Sequence, residues 1–103
     1  MDAANIPVAC RLSSAQLRKR EASLIAEFKA GVTSVDDLPE GFRFELSGEE
    51  KSLTLVAKLV AAERECCPFL HFELRAAADR GPITLSITGP VGTKEFLRGL
   101  LVR

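Results

Sequence analysis

Apolar and polar positions along this chain change period several times, and each change marks an element. Ile6, Val8, Cys10 and Leu12 alternate with Pro7, Ala9 and Arg11, which predicts a short strand with Cys10 facing inward. Pro7 assigns it to a sheet edge or a strand start, because proline cannot donate to a ladder. Ser13 to Gln16 has capping-box spacing, and Leu12 and Leu17 occupy staple positions. A helix is therefore predicted from Ser14, carrying Leu17, Leu24, Ile25 and Phe28 on one side and ending at Gly31.

Val32 to Val35 reads as a short strand and Asp36 to Gly41 as a turn. Phe42, Phe44 and Leu46 alternate with Arg43, Glu45 and Ser47, the clearest strand signal in the chain. Ser47 and Glu50 repeat the capping-box spacing and open a second helix through Leu53, Leu55, Val56, Leu59 and Val60. Pro68 disfavours helical geometry at the residue before it, so this helix should stop near Cys66, with Cys67 turned out of it. Leu70, Phe72 and Leu74 form the next strand and Ile83, Leu85 and Ile87 its partner. Phe96, Leu97, Leu100 and Leu101 mark a short C-terminal helix.

The second half also echoes the first. Phe44-Glu45-Leu46-Ser47-Gly48 matches Leu85-Ser86-Ile87-Thr88-Gly89 in pattern, and Leu55, Val56, Leu59 and Val60 match Phe96, Leu97, Leu100 and Leu101 at the same offset. A duplicated strand-strand-helix unit, each helix needing a sheet face for its stripe, predicts an α+β fold. The expected order is β-α-β-β-α-β-β-α, with a four- to five-stranded, mainly antiparallel sheet, helices on one face and ferredoxin-like layering. Residues 1–103 make a single domain with a loose N-terminus over residues 1–5.

Composition narrows the partners. Lys plus Arg and Asp plus Glu number 14 each, so no net field draws in nucleic acid or an anionic membrane. No apolar run is long enough for a membrane span, and the N-terminus has no basic and apolar leader pattern, which predicts a cytoplasmic protein. Three cysteines are an odd number, and all three are expected to rest as thiols in a reducing compartment.

Candidate chemistry centres on Glu63-Arg64-Glu65-Cys66-Cys67-Pro68. At 100° per residue Val56, Val60, Glu63 and Cys67 fall close to one line, which puts a carboxylate on the buried stripe one turn before a thiol. Such a group needs an arginine, a metal, a thiol proton or water; pairing with Arg11 or Arg64 at a frayed end is the plainer alternative. Cys66 and Cys67 read as packing residues, as soft ligands for Cu(I), Hg(II), Zn(II) or trivalent arsenic together with Cys10, or as redox thiols. A helix C-terminus disfavours a thiolate, so ligation suits Cys66 better than nucleophilic catalysis does. His71, the only histidine, lies by parity on the face opposite Leu70, Phe72 and Leu74, and is the remaining candidate ligand. Thr88 to Lys94 lacks Walker spacing and reads as a turn.

The run from Ala62 to Phe72, with Pro82 to Pro90 after it, resembles a family of small bacterial proteins and is similar to tail segments of some MerR-type metal-responsive regulators. The resemblance implies a soft-metal role, with Cys10 and Glu63 among the site positions, and carries no established activity or DNA-binding module. The leading expectation is thus a non-enzymatic protein that binds a thiophilic metal or metalloid through Cys10, Cys66 and Cys67, with Glu63 and His71 as further candidates. The alternatives are a protein-interaction or homodimerisation module and a thiol-based redox protein.

Overall fold

The computed structural model describes residues 15–102. Helix α1 (Ala15–Gly31) leads into a hairpin of β1 (Val32–Leu38) and β2 (Gly41–Leu46). Helix α2 (Glu50–Cys66) follows, then a second hairpin of β3 (His71–Ala76) and β4 (Ile83–Thr88), α3 (Thr93–Leu97) and a π-helical turn over Arg98–Val102. The four strands form one sheet in the order β1-β2-β4-β3, antiparallel throughout. The predicted strand over Ile6 to Leu12 lies outside the described residues.

The internal repeat explains this order. Each hairpin joins the other through its second strand, so β2 and β4 are central. Phe44 and Leu85, which occupy equivalent places in the repeat, are directly opposed in the β2–β4 register, as Phe42 is to Ile87 and Leu46 to Ile83. An approximate two-fold axis therefore passes through the Phe44–Leu85 pair. Closing a ferredoxin-like β-α-β-β-α-β order into a ring and reopening it after the first helix yields β-β-α-β-β-α, the order from β1 to α3.

All three helices cover one sheet face. Phe42, Phe44 and Leu46 of β2 and Ile83, Leu85 and Ile87 of β4 are buried there, because side chains in a strand alternate between faces. They pack with Phe28 of α1, Val56 and Leu59 of α2, and Leu97 and Leu101 at the C-terminal end. Phe28 meets Phe44 edge to face at 5.2 Å between ring centroids, a geometry that aligns the positive ring edge with the negative face. On the opposite face Arg43, Glu45, Glu73 and Arg75 are exposed.

Two boundaries differ from the sequence reading. β1 runs on to Leu38, since Leu38 opposes Gly41 and Pro39 and Glu40 alone make the turn; Asp36 and Asp37 are strand residues at an edge, where Asp36 is exposed and Lys94 donates to the Asp37 carboxylate. At the start of α2 no side chain caps the helix: the boundary residue is Glu49, whose backbone carbonyl accepts from the amides of Ser52 and Leu53. Ser47, predicted as the cap, instead shares a 2.9 Å hydroxyl hydrogen bond with Ser52.

Gly41 is required by backbone proximity. A Cβ there would lie 1.8 Å from the Ile87 carbonyl oxygen and 2.9 Å from Thr88 Cα, atoms of a central strand that cannot move aside. Gly41→Ala is expected to cost about 3 kcal/mol, at the upper end for overpacking, whereas a Cβ at Gly99 meets nothing within 4 Å and Gly99→Ala should cost nothing. Urea midpoints of the two variants check this contrast.

Candidate metal centre

The end of α2 builds the site. Pro68 keeps its predecessor out of helical geometry, and Cys67 accordingly sits at φ −124° and ψ 78° while its amide still donates to the Glu63 carbonyl. The Leu70 amide returns to the Cys67 carbonyl at 3.1 Å, which closes the turn into β3. Cys66, Cys67 and Phe69 form a small buried cluster of their own, against which Leu70 and Phe96 pack. Phe69 and Phe96 meet edge to face at 5.1 Å. The two cysteines are thus held by a forced helix end and an aromatic lid.

Glu63 is only 1% exposed, as its place in the apolar stripe of α2 requires. Among the described residues no arginine pairs with it, Arg64 being exposed, and Arg11 lies outside them. The Cys67 thiol donates to Glu63 Oε2 at 3.3 Å, and Cys67 Sγ is 3.5 Å from Cys66 Sγ. From the neighbouring helix α1 comes Glu21, and one donor atom each from Glu21, Glu63, Cys66 and Cys67 lies within 4.8 Å of all the others. Glu21 Oε2 and Glu63 Oε1 are both buried and find no hydrogen-bond partner among the described residues. Two carboxylates are acceptors to one another, so only a shared proton or a cation can link them.

Electrostatics follow from this crowding. Burial, and then the Glu21 charge, raise the Glu63 carboxyl from 4.5 to about 7, with the Cys67 hydrogen bond pulling the other way. Burial first, and then the charge of Glu63, push the Cys67 thiol well above the ordinary thiol range. An isolated Cys67 is therefore a neutral and poorly nucleophilic thiol. A bound cation would reverse that logic, since coordination deprotonates a thiol outright.

The remaining sequence candidates separate. Cys67 is a free thiol, as expected. Cys66 departs from the expectation of a resting thiol: it is disulfide-bonded. Cys10 also lies outside them. His71 is exposed at the start of β3, with Nε2 3.6 Å from Glu73 Oε1, and is not part of the cluster. Glu21 is the residue that sequence reasoning missed, although a signal was present: Leu17, Glu21, Leu24 and Phe28 have the spacing of one helical stripe. A carboxylate thus interrupts the apolar stripe of α1 as Glu63 interrupts that of α2. No protein-family profile, curated protein or solved structure matches this chain.

Proposed function

We propose that the protein is a cytosolic accessory protein that binds one metal ion between α1 and α2, through Glu21, Glu63 and Cys67, with Cys66 as a fourth ligand when reduced. The observation that carries this reading is the pair of buried carboxylate oxygens, one from each helix, that meet no donor among the described residues and lie beside two sulfurs. Metal–oxygen bonds of about 2.0–2.2 Å and metal–sulfur bonds of about 2.3 Å place tetrahedral ligands roughly 3.4–3.8 Å apart. A contraction of about 1 Å from the observed cluster, well within side-chain adjustment, reaches that geometry. The resemblance to tails of metal-responsive regulators points the same way.

Glu21 changes the metal. Two carboxylates with two sulfurs are a borderline donor set that suits Zn(II), whereas Cu(I) and arsenite favour sulfur alone. The disulfide of Cys66 leaves three donors and an open position, and reduction supplies the fourth. A thiol-redox reading has that disulfide in its favour, but the raised Cys67 thiol is a poor attacking group.

The test is an anaerobic titration with Zn(II), Cu(I), Hg(II) and arsenite against excess glutathione, followed by native mass. Reduced protein should retain one equivalent of Zn(II), and oxidised protein should hold it at least about tenfold more weakly, as expected for the loss of one ligand. Glu21→Gln should weaken Zn(II) retention to a similar degree. Uptake confined to Cu(I) or arsenite and indifferent to Glu21→Gln would remove the carboxylate site.

A further inference from the structure

Helices cover one face of the sheet and leave the other open, and that open face carries an ordered pattern of charge. The strand registers align its side chains in two rows across the strand order β1-β2-β4-β3. The first row is Asp36, Arg43, Ser86 and Glu73, and the second is Ser34, Glu45, Thr84 and Arg75. On β2 and β3 the charges alternate in opposite sense: Arg43 then Glu45 along one, Glu73 then Arg75 along the other. Ser86 and Thr84 of β4 separate the charges of β2 from those of β3, so Arg43 and Glu73, like Glu45 and Arg75, are two strands apart; Asp36 on the edge strand opposes Arg43 directly, without an ion pair among the described residues.

Within the described residues these charges form no ion pair with one another. Among the described residues, Arg43, Glu45 and Arg75 have no ion-pair partner, and Glu73 faces only His71, itself charged only when protonated. Unpaired and alternating charge is what an isologous contact can exploit, because a two-fold axis brings residue i onto residue j and residue j onto residue i.

We propose that the open sheet face docks a second copy of this chain, about a two-fold axis that runs between the two rows and across the strands. That operation places Arg43 against Glu45 of the partner copy and Glu73 against its Arg75, each twice, and sets Ser86 against Thr84. All four strands take part, whereas an axis along β4 would leave β1 outside the contact and one between β2 and β4 would set Asp36 against Glu73 of the partner copy. The strands of the two sheets remain nearly aligned, as packed sheets require. The formal net charge of zero means that no overall repulsion opposes the approach. The contact is polar, so it is a salt-sensitive association and not an obligate dimer. It does not depend on the metal site, which lies on the helical side.

Analytical ultracentrifugation across protein concentration, at low and high salt, tests the proposal in the full chain. A monomer–dimer equilibrium that weakens with salt is expected. Arg43→Glu sets like charges face to face at two places and should weaken dimerisation about tenfold; the double variant Arg43→Glu with Glu45→Arg should restore it. Arg75→Glu and its double with Glu73→Arg repeat the experiment independently on β3, should either single variant fold poorly by circular dichroism. A monomer at every concentration, a dimer indifferent to both charge reversals, or a loss that neither double variant restores would overturn the proposal.

Discussion

Saturating the reduced protein with Zn(II) is expected to stabilise it by about 4 kcal/mol when free metal exceeds the dissociation constant roughly a thousandfold. For a domain of this size that corresponds to a rise in the thermal midpoint of about 15–30 °C. The effect is large because two changes coincide in the folded state. Coordination removes two uncompensated buried oxygens and ties α1 to α2 at a point where their apolar stripes are interrupted. Cys67→Ser replaces a soft sulfur by a hydroxyl that does not ionise there, and Glu63→Gln removes the charge that a dication needs, so both should lose most of the shift. Differential scanning calorimetry with and without metal, under reductant, reads the result. A shift that survives both substitutions would place the metal elsewhere on the protein.

The metal-free protein should lose stability as pH rises. In the unfolded chain Glu63 ionises near 4.5, whereas in the folded protein it keeps its proton up to about 7. Below about pH 4.5 both states hold the proton, and the contribution of the protonated, buried Glu63 is fully present. Between those values the folded state alone holds it, and stability falls with pH; above about 7 both states have lost the proton, and the folded state carries a buried charge beside Glu21. The whole span amounts to about 3 kcal/mol. Glu63→Gln keeps the shape without the charge, so it should flatten this component and leave the apo variant more stable than the parent above pH 7. Denaturant midpoints of both proteins between pH 4 and 8, with chelator and reductant present, test the sign as well as the size. A parent and variant that follow parallel curves would show that Glu63 does not titrate as its surroundings require.

The two experiments separate the costs of one residue. Glu63→Gln is expected to abolish the gain from metal while it stabilises the empty protein, a combination that a merely structural glutamate would not produce. Burial of an unpaired carboxylate is destabilising on its own, and a group that lowers apo stability and raises holo stability belongs to a binding site.

Much of this arrangement was legible in local pattern. Alternation at Phe42, Phe44 and Leu46 and at Ile83, Leu85 and Ile87 identified the two central strands, because a pleated backbone sends successive side chains to opposite faces. The helix end at Cys66 followed from Pro68, a steric effect one residue long. His71 and Glu73 are exposed as their parity predicted, but Leu74 on the other parity is exposed too, since β3 is an edge strand. The capping of α2 was misread, since Ser47 and Glu50 have the right spacing but the chain enters the helix two residues later and Ser47 bonds to Ser52 instead. Similarly, the turn-forming character of Asp36 and Asp37 gave way to cross-strand pairing with Arg43 and Phe42, as β-ladder hydrogen bonds extend wherever a partner strand is in register.

By itself the sequence determined the α+β class, the order of the described elements, the repeat and the core faces of β2 and β4, and it placed Glu63 on the stripe of α2 beside Cys67 without deciding between burial and an arginine-paired, frayed end. These depend on backbone periods and on residues within one or two turns of each other. Only the tertiary structure decided that β2 and β4 would meet at the centre, that Glu21 rather than His71 would complete the cluster, and that the charges of β2 and β3 would form rows on one open face. Those depend on which helix packs beside which and in what register. Both are set by the sum of many weak contacts across the core and not by any segment read alone.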